Sequence, residues 1–468
     1  MASEPFRYNL TTTEKHNFRV IPCWVRKAAR ILMSNQNAVY LVGGAVRDLL
    51  WGIEPSDWDL ATDALPDEVE KIYPQTFSTG KRFGTITVDF EGRQLEITTL
   101  REELGYSDGR RPDQVRFGSN IVNDLARRDF TINAMAYDFR NGELIDPYGG
   151  RTDCRRRIIR TVGDPRVRFE EDGLRMYRLY RLMASHDLTV ERETERAVNP
   201  RWAQSISRER IREEFSKLLL AKAVRKGLIG LNQSRLLSQI IPEFFGQNEL
   251  YPEIYSYLQE HSLSATAEIK PLLHLRLAAL LHDIAKPCSV TITQSGLHFY
   301  GHDQKGADLS RDILTRLRYP RKLIQKVALL IRWHMFFYQP NVSDAAVRRL
   351  ISKVGSENIP DLLELRRADI IATGKITAAT YEYWNDLSER IHVILKTSAA
   401  NNSQNKLALN GHDLIEQLGI TPGPLVGKII AYLSETVIND PALNHKELLL
   451  DLARKYISSE RVNPQTPG

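Results

Sequence analysis

The sequence predicts an α+β protein in which a mixed sheet-and-helix domain is followed by a helical remainder. Residues 40 to 140 alternate short apolar runs with helical stretches, which is typical of a mixed α/β layer. From about Arg168 to the end, apolar residues recur mostly at helical spacing. At 468 residues, and roughly 150 residues per domain, the chain is too long for a single small binding module.

Composition is that of an ordinary folded protein. Hydrophobic residues make up 42% and charged residues 26%, which excludes collagen-like, coiled-coil and wholly disordered classes. The three cysteines are too few and too far apart for a disulfide scaffold or a metal knuckle. The N-terminus is polar and no window holds 18 uncharged apolar residues. We therefore expect a cytoplasmic protein that makes no contact with a membrane.

Positive charge is concentrated in one part of the chain. The formal net charge is +6, and ten arginines fall between Arg151 and His186. Arginine outnumbers lysine where phosphates or base edges are held by two hydrogen bonds at once. The pattern favours a polyanionic partner without requiring one.

The first candidate site begins with a glycine turn in YLVGGAVRDLLWG. A short apolar strand runs into Gly43 and Gly44 and then into a helix, so backbone N–H groups can approach a phosphate without obstruction by a Cβ atom. Arg47 would add positive charge at the same place.

Paired carboxylates follow in EPSDWDLAT. We expect Asp57 and Asp59 to leave one face of a strand, with Trp58 and Leu60 toward the core, and Glu96 in QLEITTL to add a third carboxylate from a neighbouring strand. Carboxylates this close repel one another unless cations hold them. Oxygen-only ligands beside a phosphate-binding turn suit Mg²⁺, and two such ions would clamp an in-line phosphoryl transfer.

These residues resemble a known family. LVGGAVRDLL and DWDLATDALPDEV are similar to the polymerase-β-type nucleotidyltransferase head of class II tRNA nucleotidyltransferases (CCA-adding enzymes) and bacterial poly(A) polymerases. ARRDFTINAMAYD matches the family motif RRDxTxNA. The match implies that Arg128 and Asp129 contact the triphosphate and ribose of the incoming nucleotide, and that Asn133 supports them.

A second family motif, EDxxR, matches RFEEDGLRMYRLYR. The resemblance implies that Asp172 and Arg175, next to Glu171, select cytosine or adenine in place of a nucleic acid template. A carboxylate accepts from an exocyclic amine and a guanidinium donates to a ring nitrogen or carbonyl, so uracil and guanine would be rejected. Arg178, one turn further along, would reach the triphosphate. Gly173 departs from the usual helix formers and is expected to loosen this helix.

A third resemblance lies in the helical remainder. The residues His261, His282, Asp283 and Asp369 fit the H…HD…D pattern of HD phosphohydrolases, which implies a divalent metal of unknown identity. Hydrogen-bonded core histidines of an inactive domain are the alternative. His274 is interpreted as a helix residue and not as a ligand. An HD body is expected of bacterial CCA-adding enzymes and not of bacterial poly(A) polymerase.

The resemblance also implies a division into four parts. The predicted parts are a catalytic head over 20–150, a neck for nucleotide selection and RNA binding over 151–235, an HD-type helical domain over 236–395 and a tail over 407–460. The polar stretch 396–406 has the composition of a linker. The tail contains LALNGHDLIEQLGITPGPLVG, which is similar to a family segment expected to grip the acceptor stem and elbow of tRNA.

The implied function is template-independent addition of CCA to the 3′ end of tRNA from CTP and ATP, with release of pyrophosphate. The charged, glycine-containing segment over 101–118 resembles a family loop that accompanies A addition, which favours CCA over CC addition. Three alternatives stay open: an A-adding enzyme, a poly(A) polymerase, and, from a different class, an HD phosphodiesterase or phosphatase whose head only binds RNA. No protein partner is implied.

Overall fold

The computed structural model describes residues 6–104, 114–246, 252–336, 342–374, 378–400 and 407–462. They form two compact units: one holds the described residues up to 246 together with Thr315–Tyr319, and the other holds 252–314 and the described residues from Pro320 onward. The finer division into four parts stays a prediction. The middle of the predicted loop over 101–118 lies outside the described residues. None of the helices described here has both the length and the apolar character needed to cross a membrane.

The first unit opens with a mixed eight-stranded sheet and a separate two-stranded hairpin. The strands are β1 Arg7–Asn9, β2 Val39–Val42, β3 Asp59–Thr62, β4 Thr76–Gly80, β5 Thr85–Phe90, β6 Arg93–Thr99, β7 Arg101–Leu104, β8 Gln114–Phe117, β9 Ala136–Asp138 and β10 Glu143–Ile145. The sheet has the order β1-β10-β9-β2-β3-β6-β5-β4, and β7 and β8 form the hairpin. The pair β3 and β6 runs parallel and the other neighbouring pairs of the sheet run antiparallel.

Amphipathic helices accompany this sheet. In the helix Cys23–Ser34 the buried residues are Val25, Ala28, Ala29 and Leu32, which is the spacing of a single helix face. These helices are α1 Thr12–Phe18, α2 Cys23–Ser34, α3 Gly44–Trp51, α4 Pro66–Ile72, α5 Ile121–Ala126 and α6 Gly150–Arg156. The rest of the unit contains β11 Ile158–Ile159, α7 Pro165–Glu171, α8 Leu174–His186, β12 Thr189–Val190, α9 Arg192–Arg196, α10 Arg208–Leu219, α11 Val224–Gln233 and α12 Leu237–Ile240.

The second unit is mainly helical. Its elements are α13 Pro252–Glu268, α14 Leu273–Leu281, β13 Val290–Thr293, β14 Gly296–Phe299, α15 His302–Arg316, α16 Arg321–Trp333, α17 Asp344–Val354, α18 Ile359–Ala372, α19 Ala378–Ala400, α20 Gly411–Leu418, α21 Pro424–Asn439 and α22 Lys446–Val462. The last three helices enclose their own apolar cluster, which includes Leu414, Leu433 and Leu449. The NGHD sequence of the tail is a capping box, in which Asn410 and Asp413 each accept the other's backbone N–H at the start of α20.

The predicted α+β class is confirmed, with two local corrections. Residues 290–299 form a hairpin where helix was expected, because VTIT and GLHF flank a two-residue turn, and Gly296, which begins the second strand, has a φ of +116°. The predicted linker over 396–406 is wrong at its start, since α19 continues to Ala400. Polar composition does not exclude helix where alanine and lysine supply helix propensity.

A buried carboxylate ties the N-terminal helix to α6. Glu14 is 6% exposed and accepts from Arg151 Nε at 2.9 Å and Arg155 Nη2 at 3.1 Å. Burial alone would raise the pKa of Glu14, but hydrogen bonds from Arg151 and Thr11 lower it to about 2. The stability that Glu14 supplies is therefore complete above its unfolded pKa of about 4.5 and is lost as the pH falls toward 2.

We expect Glu14→Gln to destabilise the protein more at pH 7 than at pH 4. The difference in unfolding free energy between wild type and variant should shrink by about 1 kcal/mol over that range, because the wild type alone takes up the extra proton on unfolding. Urea titrations at the two pH values measure it. Glu54→Gln, at an exposed position, is the control. A difference that does not change with pH would contradict this role of Glu14.

Candidate active site and metal centre

A cavity of about 640 Å³ opens in the first unit beside the glycine turn. Most of the sequence-predicted nucleotide and catalytic residues line it, namely Gly43, Gly44, Asp59, Glu96, Arg128, Asp129, Asn133, Asp172, Arg175 and Arg178. Its lining does not include Asp57 or Arg47. The fold thus brings together residues that lie more than 130 positions apart in the chain.

The glycine turn joins β2 to α3. Gly43 has a φ of +73° and precedes the first residue of α3, so the free N–H groups of the helix start lie beside the cavity. A Cβ atom on Gly43 would lie 3.1 Å from Nη1 of Arg128 and 3.8 Å from Oδ2 of Asp59. Both the backbone conformation and the space require glycine here.

We expect Gly43→Ala to impair nucleotide binding and to cost about 1 to 3 kcal/mol of stability, because alanine strains this backbone and displaces Arg128. The Michaelis constant for the predicted nucleotide substrate should rise several-fold. Gly92→Ala is the matched control, since Gly92 also has a positive φ but has no atom within 4 Å of the added Cβ. If both variants lose activity equally, backbone strain alone explains the effect of Gly43→Ala, and the displacement of Arg128 does not contribute.

Two carboxylates meet on adjacent strands. Asp59 begins β3 and is paired in register with Glu96 on β6. The neighbours of Glu96, Leu95 and Ile97, are buried while Glu96 is exposed, so Glu96 lies on the face opposite the core. Asp57 lies in the loop before β3 and is exposed, so the expectation that it forms part of the strand is wrong. The strand begins only at the first residue that pairs with β2 and β6.

The electrostatics of these carboxylates favour a cation. Burial, the charge of Glu96 and the charge of Asp57 raise the pKa of Asp59 to about 6, although Arg128 opposes the shift. The donor atoms are carboxylate oxygens, which is the ligand set that Mg²⁺ prefers. The residues present therefore fit the divalent ions predicted from the sequence.

The side chain of Arg47 is buried next to the glycine turn. It is 7% exposed, and its guanidinium donates from Nη1 to Asn133 Oδ1 at 2.8 Å and from Nε to Asp48 at 2.9 Å. A Cβ on Gly44 would lie 3.4 Å from Nη2 of Arg47. The expectation that Arg47 adds free charge at the cavity is thus corrected, because its charge is already paired and buried.

A buried carboxylate holds the RRD motif, residues 127–129, in place. Asp124, whose side chain is fully buried, accepts from Arg127 at 2.7 Å and from Arg128 at 3.2 Å. Burial opposes ionisation, but Arg128 and Arg127 together hold the pKa of Asp124 below its usual value. Asp129 accepts from Asn133 Nδ2 at 3.3 Å and lies 3.0 Å from Arg178 Nη2. These contacts hold the three arginines Arg127, Arg128 and Arg178, all of which line the cavity.

The predicted base-selecting residues lie where α7 meets α8. Asp172 accepts from the backbone N–H of Leu174 at 3.1 Å and from Arg210 Nη2 at 2.7 Å. Arg175 donates from Nη1 to Glu171 at 2.5 Å and from Nη2 to the carbonyl of Arg127 at 3.2 Å. The carboxylate and the guanidinium are therefore each held in place by their own partners, and both residues line the cavity.

Gly173 does not loosen this helix, contrary to expectation. It precedes the first residue of α8, and a Cβ there would lie 2.2 Å from the carbonyl oxygen of Trp202. The chain approaches so closely that only glycine fits. The residue tightens the junction that presents Asp172.

A second cluster lies in the second unit. His261 on α13, His282 and Asp283 after α14, and Asp369 on α18 are all buried. His261 Nε2 lies 3.1 Å from both His282 Nε2 and Asp369 Oδ1, and His282 Nε2 lies 3.3 Å from Asp283 Oδ2. The structure thus brings together the four residues of the predicted H…HD…D site. His274 pairs instead with Asp361 at 2.9 Å.

Two further histidines join Asp283 on its other side. His302 Nε2 lies 3.4 Å and His334 Nε2 3.6 Å from Asp283 Oδ1. The sets His261, His282, Asp283 and Asp283, His302, His334 each have the geometry to hold a metal ion. Asp283 is common to both sets.

The surroundings of these histidines are those of metal ligands. Nδ1 of His282, His302 and His334 lies 2.6 to 2.8 Å from a backbone carbonyl, so each ring directs Nε2 at the carboxylates. Within the described part of the chain, Nε2 of His302 and of His334 has no hydrogen-bond partner. Burial favours neutral His282, but Asp283 and Asp369 raise its pKa well above the ordinary value. Converging imidazole and carboxylate groups that attract positive charge fit a divalent metal.

Sequence reasoning left three of these residues out of its predicted sites. Arg210 contacts Asp172 from 38 positions away, which no local pattern reveals. His302 and His334 occupy the first position of α15 and the position after α16. The apolar surroundings of His334 in LLIRWHMFF indicate burial, and a buried imidazole needs a partner.

Comparison with known proteins agrees with this geometry. A family model described as Poly A polymerase head domain matches residues 39–160, one described as Probable RNA and SrmB- binding site of polymerase A matches 187–246, and one described as tRNA nucleotidyltransferase domain 2 putative matches 302–453. The sheet, the glycine turn and the paired carboxylates therefore define a nucleotidyltransferase with a poly(A)-polymerase-type head.

Relatives identify the family more closely. The chain is 33% identical to the CCA-adding enzyme of Geobacillus sp. (strain WCH70), over 90% of this chain and 95% of that protein. It is 43% identical to the CCA-adding enzyme of Lactobacillus helveticus, but there the alignment spans only 50% of this chain and 59% of the relative. The crystal structure of the Bacillus stearothermophilus CCA-adding enzyme in complex with CTP is 27% identical, with a TM-score of 0.72 over 96% of this chain and 99% of that one. The chain belongs to the family of CCA-adding enzymes, which confirms the resemblance predicted from its sequence.

Proposed function

We propose that the protein adds C, C and A in turn to the 3′ end of tRNA, taking CTP and ATP and releasing pyrophosphate. The observation that carries the proposal is that Asp59, Glu96, Asp172 and Arg175 all line the same cavity. One pair suits divalent metal ions, and the other suits the edge of a base. Full-length similarity to a CCA-adding enzyme and a likeness to a CTP-bound family structure support the same activity.

Each group has a distinct task in this mechanism. Asp59 and Asp57 would hold two Mg²⁺ ions, with Glu96 beside them; when bound, these ions activate the 3′-hydroxyl and neutralise the leaving pyrophosphate. The N–H groups that follow Gly43, together with Arg128 and Arg178, bind the triphosphate.

The protein side chains replace a template. Asp172 accepts from the exocyclic amine of cytosine or adenine, and Arg175 donates to the adjacent ring nitrogen or carbonyl. Arg210 and the Leu174 N–H leave each oxygen of Asp172 with a lone pair for the base. Uracil would present a carbonyl oxygen to the carboxylate, which repels it.

Withholding one nucleotide tests the order of addition. With CTP alone, a tRNA transcript that lacks CCA should gain two nucleotides and stop, and ATP alone should add nothing to it. Extension by ATP alone into a long tail would instead support a poly(A) polymerase. Growth only of transcripts that already end in CC would support an A-adding enzyme.

We also propose that the second cluster is a divalent-metal site with phosphohydrolase activity, in a domain of the HD type. The two three-residue sets that share Asp283 favour this activity, because they would hold divalent ions, which would activate water for hydrolysis of phosphate esters. Lys286 Nζ lies 2.5 Å from Asp283, and Arg366 Nη1 lies 2.6 Å from Asp369. These cations would orient the two carboxylates.

We expect Asp283→Asn to empty this centre and leave nucleotide addition intact. Wild-type protein dialysed against Mn²⁺ should retain about two ions per chain at the cluster, and the variant should retain fewer. Metal analysis and hydrolysis of bis(p-nitrophenyl) phosphate measure the loss. His274→Gln is the matched control, because His274 lies outside the cluster. If the wild type holds no metal beyond the head ions, the cluster is a hydrogen-bonded core.

The cytoplasm is the compartment that we propose for this enzyme. The three cysteines, Cys23, Cys154 and Cys288, are all free thiols, which suits a reducing environment. The proposed substrates, tRNA and nucleoside triphosphates, suit the same compartment.

A further inference from the structure

One face of the eight-stranded sheet carries a row of side chains that begins at the two carboxylates Asp59 and Glu96. Asp59 pairs in register with Glu96, and Glu96 pairs in turn with Thr87 on β5. Thr87 pairs with Phe77 on the edge strand β4. Residues that lie directly opposite on neighbouring strands share a face of the sheet. Phe77, which is 52% exposed, therefore lies on the same face as the carboxylates.

Two hydroxyl groups lie beside this row on the same face. Thr98 follows Glu96 by two residues on β6 and pairs with Thr85 on β5, and the two Oγ1 atoms lie 3.1 Å apart. One hydroxyl donates to the other, which keeps its own proton for a further partner. Thr85, Thr98 and Gly80 of β4 all line the cavity of the first unit. The cavity thus extends from the carboxylates across β5 to the edge strand.

The opposite face of these strands packs against α4. Leu95 and Ile97 are buried on that face, and α4 contacts both β5 and β6. Ser78, the neighbour of Phe77, donates from Oγ to Glu70 of α4 at 2.7 Å. Side chains alternate between the two faces along a strand, so Phe77 lies on the face that α4 does not cover. Its ring is therefore accessible to a ligand that lies along the carboxylate face.

The order of the strands indicates which substrate reaches this face. The glycine turn at Gly43, where the triphosphate is proposed to bind, follows β2, which neighbours β3 on one side. On the other side of β3 come β6, β5 and β4. The attacking and leaving oxygens of an in-line phosphoryl transfer lie on opposite sides of the phosphorus atom. With the leaving pyrophosphate at the glycine turn, the attacking 3′-hydroxyl approaches from the side of β6 and β5.

On the basis of the nucleotide addition proposed above, we propose that Phe77, Thr85 and Thr98, here termed the acceptor face, bind the single-stranded 3′ end of the acceptor RNA. Phe77 stacks on one of the last two bases, because β4 lies two strand spacings, or about 10 Å, from Glu96. Thr98 and Thr85 bind the 2′-hydroxyl of the terminal ribose, a group that both donates and accepts. The acceptor face positions the RNA and takes no part in binding the nucleoside triphosphate.

Steady-state addition of CMP to a tRNA transcript that lacks CCA tests the role of Phe77. Phe77→Ala should raise the KM for the transcript about tenfold and leave the KM for CTP within about twofold. Phe77→Trp, which keeps a stacking surface, should restore the KM for the transcript. Tyr8→Ala is the matched control, since Tyr8 is 43% exposed on β1, at the other edge of the same sheet. Circular dichroism checks that each variant folds.

An acceptor changed at one group tests the threonines. A transcript whose terminal ribose lacks the 2′-hydroxyl should react roughly fivefold more slowly than the normal transcript in single turnover with wild-type protein. With Thr98→Val, which lacks the hydroxyl but keeps the branched shape, the two transcripts should react at nearly equal rates. Equal slowing in both proteins would overturn the ribose contact.

The two proposals fail in different ways. If the wild type extends the transcript while Phe77→Ala leaves both KM values unchanged, or raises both equally, the acceptor face is overturned and nucleotide addition stands. If the wild type extends no transcript, both the nucleotide addition and the acceptor face are overturned.

Discussion

Replacing Asp59 by asparagine is expected to lower the turnover of nucleotide addition by roughly 10³-fold or more. Asparagine supplies no negative charge to hold the proposed Mg²⁺ ions, so the transition state loses the stabilisation that these ions would provide. Asp59 is the buried member of the carboxylate set, and its pKa is raised to about 6 by burial and by Glu96. The variant should still fold, because asparagine keeps the shape and relieves that repulsion. Single-turnover addition of CMP to a tRNA transcript measures the loss.

Asp67→Asn is the matched control for this experiment. Asp67 lies in α4 of the same unit, is exposed and pairs only at the surface with Lys81 at 2.7 Å. Surface ion pairs of this kind contribute little, so the rate should stay within about twofold. A rate in Asp59→Asn close to that of the control would mean that the paired carboxylates are not the catalytic site.

Asp172→Asn is expected to change which nucleotide is chosen. An amide can donate to the carbonyl oxygen of uracil that the carboxylate repels, so the ratio of kcat/KM for CTP over UTP should fall by about 10- to 100-fold. The amide oxygen can still accept from Leu174 or Arg210, which preserves the junction of α7 and α8. Competition between labelled CTP and UTP measures the ratio.

The control for selectivity is Asp164→Asn. Asp164 caps α7 through the N–H of Arg166 and is exposed, and asparagine caps helices equally well. Its CTP preference should not change. If Asp172→Asn loses CTP and UTP activity in equal proportion, Asp172 only maintains the fold and does not read the base.

Local patterns predicted most of the head correctly. The two glycines require a turn, and the alternation around Glu96 places it opposite Leu95 and Ile97. The α+β class and the family are confirmed, since sheet periodicity and helix periodicity differ clearly along the chain. The position of Asp57 outside β3 could not be predicted, because strand ends depend on which residues find a pairing partner.

Contacts between segments that are distant in the chain could not be predicted from local sequence patterns. Arg47 has the sequence context of a phosphate ligand, yet in the folded chain its guanidinium donates hydrogen bonds to Asn133 and Asp48. Gly173 has low helix propensity, but the approach of the Trp202 carbonyl decides its role. The metal centre shows the same limit, since His302 and His334 join Asp283 only after the three helices α14, α15 and α16 have packed.

The extension of three tRNA transcripts shows whether this enzyme completes the CCA sequence and then stops. Purified protein is incubated with Mg²⁺, CTP and ATP and three tRNA transcripts that lack CCA, lack only the final A, or end in CCA, and the products are sized. We expect the first to grow by three nucleotides, the second by one and the third by none. Growth of the second alone, or long A tails on all three, would contradict CCA addition.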